Sequence, residues 1–356
     1  LNQLIQYGLT ERYTNEASLY PELSLGRVTA QHKGIYKVMT DTGEHLAEIS
    51  GKLRYETEEI AQFPTVGDFV MFSGEDDESH RIIHRILTRK SAFFRKAVGT
   101  NGQAQAVAAN IDIVMICMSL NQNFNLSRLE RYLSVAWDSG ATPVVILTKA
   151  DLCEDIPSAI AEVERIASFS DVIALSTYED DVVDKLKPYL KVGNTLAFVG
   201  SSGVGKSTLI NGLLEQEIIA TKEIGIGDKG KHTTTGREMF LCHHGGVLID
   251  TPGMRELGIE SADVDMSFAE IEELAQGCKF SDCSHTTEPG CQVRKALEAG
   301  VIDQRRLDNY NKLKHEAGYD GLSSKEIENK KLERMFKDVG GKKGFRKFIK
   351  ETQKKT

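Results

Sequence analysis

Between residues 107 and 253, short apolar runs alternate with stretches whose apolar positions recur at helical spacing. IDIVMICMSL (111–120), PVVILT (143–148), DVIALS (171–176), NTLAFVG (194–200) and GVLIDTPG (246–253) read as buried strands. LSRLERYLSVAWDSG (126–140), IPSAIAEVERIA (156–167), VVDKLKPYL (182–190) and TLINGLL (208–214) read as amphipathic helices between or after them. Such alternation predicts a mostly parallel, doubly wound α/β sheet. The N-terminal part has a different rhythm. SLGRVTAQHKGIYKVMT (24–40), LAEISGKLRY (46–55), FPTVGDFVMF (63–72) and HRIIHRILTR (80–89) are β-rich, with few helical patches. Five short strands in that span suit a small barrel of OB type, and an SH3-like barrel would give a similar pattern. RKSAFFRKAVGTNGQAQ (89–105) is basic, then rich in Gly, Asn and Gln, and reads as a linker. Beyond about residue 270 the chain turns helical and Cys-rich. The expected division is therefore a barrel over 1–90, a linker over 91–105, an α/β domain over 106–270, a helical domain over 271–340 and a tail over 341–356.

Length supports several units, since 356 residues exceed what one core usually holds. Hydrophobic residues make up 40% and charged residues 27%, an ordinary globular balance. No window offers eighteen uninterrupted apolar residues, and LNQLIQYGLTERY lacks a basic-then-apolar leader, so a cytoplasmic protein without membrane contact is expected. The net charge of −8 argues against indiscriminate coating of nucleic acid. Residues 325–356 nevertheless hold twelve Lys/Arg against five Asp/Glu, a basic segment suited either to local nucleic-acid contact or simply to solvent.

Chemistry enters at the strand ends. Gly200-Ser201-Ser202-Gly203-Val204-Gly205-Lys206-Ser207-Thr208 matches GxxxxGK[ST], follows an apolar strand and opens a helix. Glycines there let backbone N–H groups curl around phosphates, Lys206 neutralises the β/γ charge, and the Ser207 hydroxyl can ligate Mg²⁺. Asp250, in DTPG, is placed to support that Mg²⁺ through water, and the Gly253 N–H to sense a γ-phosphate. KGKHTTTGRE (229–238) offers Thr233, Thr234 and Thr235, any of which could complete the Mg²⁺ coordination.

About fifty residues before the phosphate loop, VILTKAD ends in Thr148-Lys149-Ala150-Asp151. The Asp151 carboxylate can accept from N1–H and the 2-amino group of guanine, donors adenine lacks there. The Lys149 stem can lie along the base. Thr148 stands where Asn is usual and lacks its amide donor. Ser176, in ALST, is the candidate support for the base. Ordinary GTPases place their guanine reader after the phosphate loop. The inverted order fits the same sheet with its termini moved, a circular permutation.

Cys278, Cys283, His285 and Cys291 fall within fourteen residues. Three thiolates and an imidazole form a donor set for one structural Zn²⁺. Cys117 and Cys153 lie in or beside apolar runs and read as packing residues, and His243 and His244 as non-ligands.

TKAD, GSSGVGKST, KHTTT, DTPG and CKFSDCSHTTEPGC, in that order behind a small barrel, resemble the ribosome-small-subunit-dependent GTPase A family, also called RsgA, YjeQ or YloQ. The resemblance covers roughly residues 20–320 and implies an OB-fold, a circularly permuted P-loop GTPase domain and a C-terminal helical zinc domain. It further implies GTP hydrolysis with Mg²⁺ and a late step in maturation of the 30S subunit. That subunit, with its 16S rRNA, would be both partner and stimulator of a monomeric protein. Met254 follows DTPG, where Ras-like enzymes carry a water-positioning Gln. A thioether has no such capacity, and the resemblance points to His232 as the catalytic group, beside Lys206.

Overall fold

The structure, a computed structural model, describes residues 3–32, 34–74, 81–96, 104–167, 169–179, 181–217, 219, 237–250, 267–280 and 283–317. Five strands form the N-terminal barrel: β1 (Ser24–His32), β2 (Ile35–Met39), β3 (Glu44–Ile49), β4 (Phe69–Ser73) and β5 (Arg81–Ile86). They run in the order β1-β2-β3-β5-β4, and β4 returns to β1 through Leu25↔Met71 and Gly26↔Val70. Only β3 and β5 pair in parallel. This is the five-stranded closure expected of an OB-type barrel. Val28, Tyr36, Val38, Ala47, Val70, Phe72 and Ile83 fill it. Alternation puts Phe69 and Met71 on the opposite face of β4, against Tyr13 and Leu87. Tyr13 belongs to α2 (Glu11–Ala17), which with α1 (Gln3–Gln6) precedes the barrel and stacks on Phe69 with ring centroids 4.1 Å apart. Helix α3 (Gly51–Glu56) begins at Ser50, whose hydroxyl accepts from the Leu53 N–H at 3.0 Å.

Part of the span expected to be a linker is ordered differently. β6 (Ala92–Lys96) and β7 (Ala104–Ala109) form an antiparallel pair with Ala92↔Ala109 and Lys96↔Ala104 in register. The Gly-, Asn- and Gln-rich composition hid a short alternation that buries Phe93, Val107 and Ala108 in the main core. Gly67 shows how closely the barrel approaches this pair. A Cβ there would stand 2.0 Å from the Ala109 carbonyl oxygen.

The second sheet region contains β8 (Ile113–Ser119), β9 (Thr142–Thr148), β10 (Asp171–Ala174), β11 (Thr195–Val199), β12 (Arg237–Leu241) and β13 (Val247–Asp250). Its order is β10-β9-β8-β11-β13-β12, parallel except between β12 and β13. Along β8, Val114, Ile116 and Met118 face one core while Met115 and Cys117 face the other. A strand covered on both sides in this way reads as an unbroken apolar run. Helices α4 (Leu126–Asp138) and α5 (Ile156–Glu164) cover the first face through Leu129, Leu133 and Val163. Helices α6 (Val182–Leu186) and α7 (Lys206–Leu214) cover the second through Leu186, Leu209 and Leu213. The chain steps outward from β8 to β10, then returns past α6 to the central strand β11. That return joins the strand ending in TKAD to the Gly200–Gly205 loop, and it is the connection a permutation must add.

β12 also pairs with β1, matching Ala30 to Glu238 and Gln31 to Arg237, so barrel and α/β region share one eleven-stranded sheet. At that seam the Arg237 guanidinium donates to the Ala106 carbonyl oxygen at 3.0 Å. At the other end of the chain, α8 (Ala269–Gln276), α9 (Gln292–Glu298) and α10 (Gln304–Ala317) contribute Ile271, Val293, Leu307 and Leu313 to the core that holds Leu129 and Leu133 of α4. The basic tail lies outside the described residues. Among the described residues, no helix is long and apolar enough to cross a membrane.

Candidate functional site

The carboxyl ends of β9, β10, β11 and β13 carry the residues singled out by sequence, at the edge where doubly wound sheets bind ligands. Gly200 leaves β11 with φ +142°, and a Cβ there would lie 2.3 Å from the Cys117 carbonyl oxygen. Only glycine fits that approach. Gly203 and Gly205 also have positive φ, 77° and 96°, and Gly205 caps α7. The loop Gly200–Gly205 thus wraps the N-terminus of a helix, with Ser202, Gly203 and Thr208 exposed and Ser207 half-buried. Lys206 is buried and its Nζ donates to the carbonyl oxygens of Gly200 and Ser201, at 2.6 Å each. The ammonium is thus held inside the loop by the loop's own carbonyls. Beneath it, burial pushes the Cys117 thiol up to about 12 although Lys206 pulls it down, so this cysteine stays a neutral packing group, as its apolar run suggests.

Thr148 is fully buried, and its hydroxyl donates to the Val204 carbonyl oxygen of the phosphate loop at 2.6 Å. The residue in the place of Asn therefore keeps a direct tie to the loop. Lys149 turns the chain with φ 57°, a left-handed conformation few non-glycine residues adopt. The 3-10 turn Ala150–Leu152 then presents Asp151 to solvent. Ser176 is buried and donates its hydroxyl proton to Asp151 Oδ1 at 2.6 Å. The backbone joins the two loops as well, through Leu175 N–H to Leu147 O at 2.9 Å and Ala150 N–H to Leu175 O at 3.2 Å. Thr148, Asp151 and Ser176 are thus held as one unit against Val204. Asp250 ends β13, beside β11. Gly253, His232, Thr233, Thr234 and Thr235, and with them Met254, lie outside the described residues.

The C-terminal cluster assembles as its spacing suggests. One donor atom from each of Cys278, Cys283, His285 and Cys291 lies within 4.8 Å of the others. His285 aims Nδ1 inward, 3.5 Å from Cys291 Sγ and 3.7 Å from Cys278 Sγ. Burial lowers the His285 pKa below its ordinary value, which favours the neutral imidazole a metal requires. Burial opposes a thiolate at Cys278, but the Gln292 and Val293 amides at the start of α9, with the thiols of Cys291 and Cys283, bring its pKa below the usual range. The Glu288 carboxylate braces the loop by accepting from the Ser284, Thr286 and Thr287 N–H groups, each at 3.0 Å. A set of three sulfurs and one nitrogen, with no carboxylate among them, could hold a metal ion that prefers soft donors. His244 instead meets Glu215 at 3.0 Å, away from the cluster.

Two features escaped the motif reading. Arg128 in α4 donates from Nη1 to the Ser201 hydroxyl at 2.8 Å, bracing the phosphate loop from outside. Two residues on, Glu130 is completely buried and accepts from Arg306 Nη1 at 2.8 Å, from Arg305 Nη1 at 3.1 Å and from the Asn309 amide. Burial works against the Arg306 charge, yet Glu270 and Glu130 raise its pKa. The signal was in the sequence: Glu130 sits four residues after Leu126 and three before Leu133, on the apolar stripe of its helix.

The RsgA GTPase family model matches residues 86–260. The chain is 48% identical over 345 residues to the small ribosomal subunit biogenesis GTPase RsgA 2 of Lactiplantibacillus plantarum, covering 97% of each chain. The crystal structure of YjeQ from Thermotoga maritima superposes with a TM-score of 0.61 at 29% identity, covering 83% of this chain and 98% of that one. YloQ, described as a circularly permuted GTPase, shares the fold with a TM-score of 0.59 at 24% identity, over 83% and 95% of the two chains. With the phosphate loop following the TKAD strand on one sheet edge, and with relatives this similar over nearly its whole length, the chain belongs to the RsgA family of circularly permuted GTPases.

Proposed function

We propose that this chain hydrolyses GTP during late maturation of the small ribosomal subunit, and that the subunit stimulates its turnover. The observation that carries the nucleotide reading is the 2.6 Å bond from Thr148 to Val204, which fixes base reader and phosphate loop in one frame. The ribosomal part rests on kinship with proteins described as small ribosomal subunit biogenesis GTPases.

In this reading Asp151 accepts from the guanine edge, Ser176 holds its carboxylate, and the Lys149 stem covers the base. Gly200 to Gly205 supply backbone N–H groups, Lys206 neutralises the phosphates, and Ser207 and Asp250 would hold Mg²⁺ with a threonine from 233–235. When bound there, Mg²⁺ would supply charge neutralisation to the phosphates. His232 would place the attacking water, because Met254 has no group to do so. Cys278, Cys283, His285 and Cys291 would hold one Zn²⁺, whose role would be structural, linking the segments that carry those four residues. The barrel, the β6–β7 region and the basic tail are the surfaces for 16S rRNA in a cytoplasmic, monomeric protein. Domain limits at residues 90, 105, 270 and 340 go with that assignment.

Co-sedimentation with purified ribosomal particles in a non-hydrolysable GTP analogue tests the partner. Recovery with 30S and not with 50S supports the proposal. Equal recovery with both, or with neither, would favour an RNA-binding switch not tied to this subunit.

A further inference from the structure

We infer that Tyr178 is a base-stacking residue, covering the guanine that Asp151 reads. The inference rests on the nucleotide reading above and adds a residue that the motifs do not contain. Three observations meet at this position. Tyr178 exposes 89% of its surface, and among the large apolar residues described only Tyr55 exposes more. Its backbone is nonetheless fixed. The Tyr178 N–H donates to Ser176 Oγ at 3.3 Å, and that oxygen donates in turn to Asp151 Oδ1 at 2.6 Å. Only one hydroxyl oxygen therefore separates the Tyr178 amide from the carboxylate that would bind the base edge. The turn is closed by Glu179, whose Oε2 faces the Ser176 N–H at 3.4 Å and the Lys185 ammonium at 3.0 Å.

One hydroxyl bridge from Asp151, the Tyr178 ring is carried on the loop that would border a purine held by that carboxylate, and a tyrosine offers a large flat apolar face for such a partner. An exposed aromatic on a backbone this constrained loses little freedom when it closes on a flat ligand. Stacking is read from the ring alone, so it differs from the donor–acceptor code of Asp151. The ring contributes affinity for the base, and the carboxylate contributes the choice of guanine. The Tyr178 hydroxyl has no part in this contact.

The test compares the wild-type protein with Tyr178→Ala, Tyr178→Phe and Tyr178→Trp. Dissociation constants are measured for GDP, ADP and inorganic tripolyphosphate, which carries the charge without a base. GDP binding should weaken about 5- to 100-fold in Tyr178→Ala and change by no more than about twofold in Tyr178→Phe. Tripolyphosphate binding should be the same in all four proteins. In Tyr178→Trp, GDP should quench the new indole emission and tripolyphosphate should not, a readout that survives even if the alanine variant is unstable. Unchanged GDP affinity in Tyr178→Ala, equal losses in the Ala and Phe variants, or a parallel loss for tripolyphosphate would each overturn the stacking role. A wild-type protein that binds ADP as tightly as GDP would instead overturn the nucleotide reading itself.

Discussion

Thr148 and Val204 are 56 positions apart in the chain and meet through a 2.6 Å hydrogen bond, hydroxyl to carbonyl. Both are buried, at 0% and 1% exposure, so water has no access to replace the bond. Thr148→Val keeps the shape and removes the donor, leaving the Val204 carbonyl unsatisfied at a cost of about 1–3 kcal/mol. That loop must then reorder when nucleotide binds. GDP affinity, measured by calorimetry, should fall by about tenfold, in line with a loss of 1.4 kcal/mol. An unaltered affinity would mean that the strand pairing alone holds the loop.

Asp151 and Lys206 should separate base choice from phosphate binding. Asp151→Ala should lose about 1–3 kcal/mol of preference for GDP over ADP, by analogy with other bidentate base contacts. Lys206→Ala should weaken both nucleotides together, because its ammonium lies among the phosphate-loop carbonyls. Competition binding with the two diphosphates distinguishes these outcomes. A GDP preference that persists in Asp151→Ala would contradict the permuted reading of TKAD.

Glu130 should be a stability residue of the whole α4–α10 contact. Glu130→Ala leaves Arg306, 6% exposed at its side chain, facing a site without its buried carboxylate. Removing one partner of such a pair costs about 3–5 kcal/mol. Urea denaturation should show a loss of that size. Arg305→Ala should cost much less, since that side chain is 37% exposed and its pairing is screened by water.

Periodicity exposed most of the α/β region because its strands are buried on both faces and its helices on one. Val114 and Met115 point into different cores, yet both must be apolar, and the run IVMICMS records that constraint. Motif residues were legible for a related reason: Gly200 sits where no Cβ fits, Lys206 is a buried cation among loop carbonyls, and Asp151 is held by Ser176, places few other residue types suit. Residues whose importance comes from a distant partner were harder to find. Arg128 acquires meaning from Ser201, 73 positions away, and Glu130 from Arg306, 176 away. The β6–β7 pair was missed because its alternation is short and flanks a turn-rich composition.

Metal removal should act on one region. Chelation, or Cys283→Ser, should disorder residues around 278–291, since a bound Zn²⁺ can contribute about 10–16 kcal/mol to folding of small domains. GDP binding should persist, because the Thr148–Val204 and Ser176–Asp151 bonds involve no residue of the C-terminal helices. Elemental analysis with circular dichroism checks both parts. A folded C-terminal region without stoichiometric metal would contradict the assignment of the four donors.

Steady-state turnover shows whether GTP hydrolysis responds to the small ribosomal subunit. GTP hydrolysis should be slow for the isolated protein, on the order of 10⁻⁴ to 10⁻² s⁻¹ as for unaided GTPases. Adding 30S subunits should raise it, while 50S subunits should not, and His232→Ala should abolish the rise with GTP binding retained. Turnover indifferent to 30S, or raised equally by 50S, would rule out a GTPase stimulated by the small subunit.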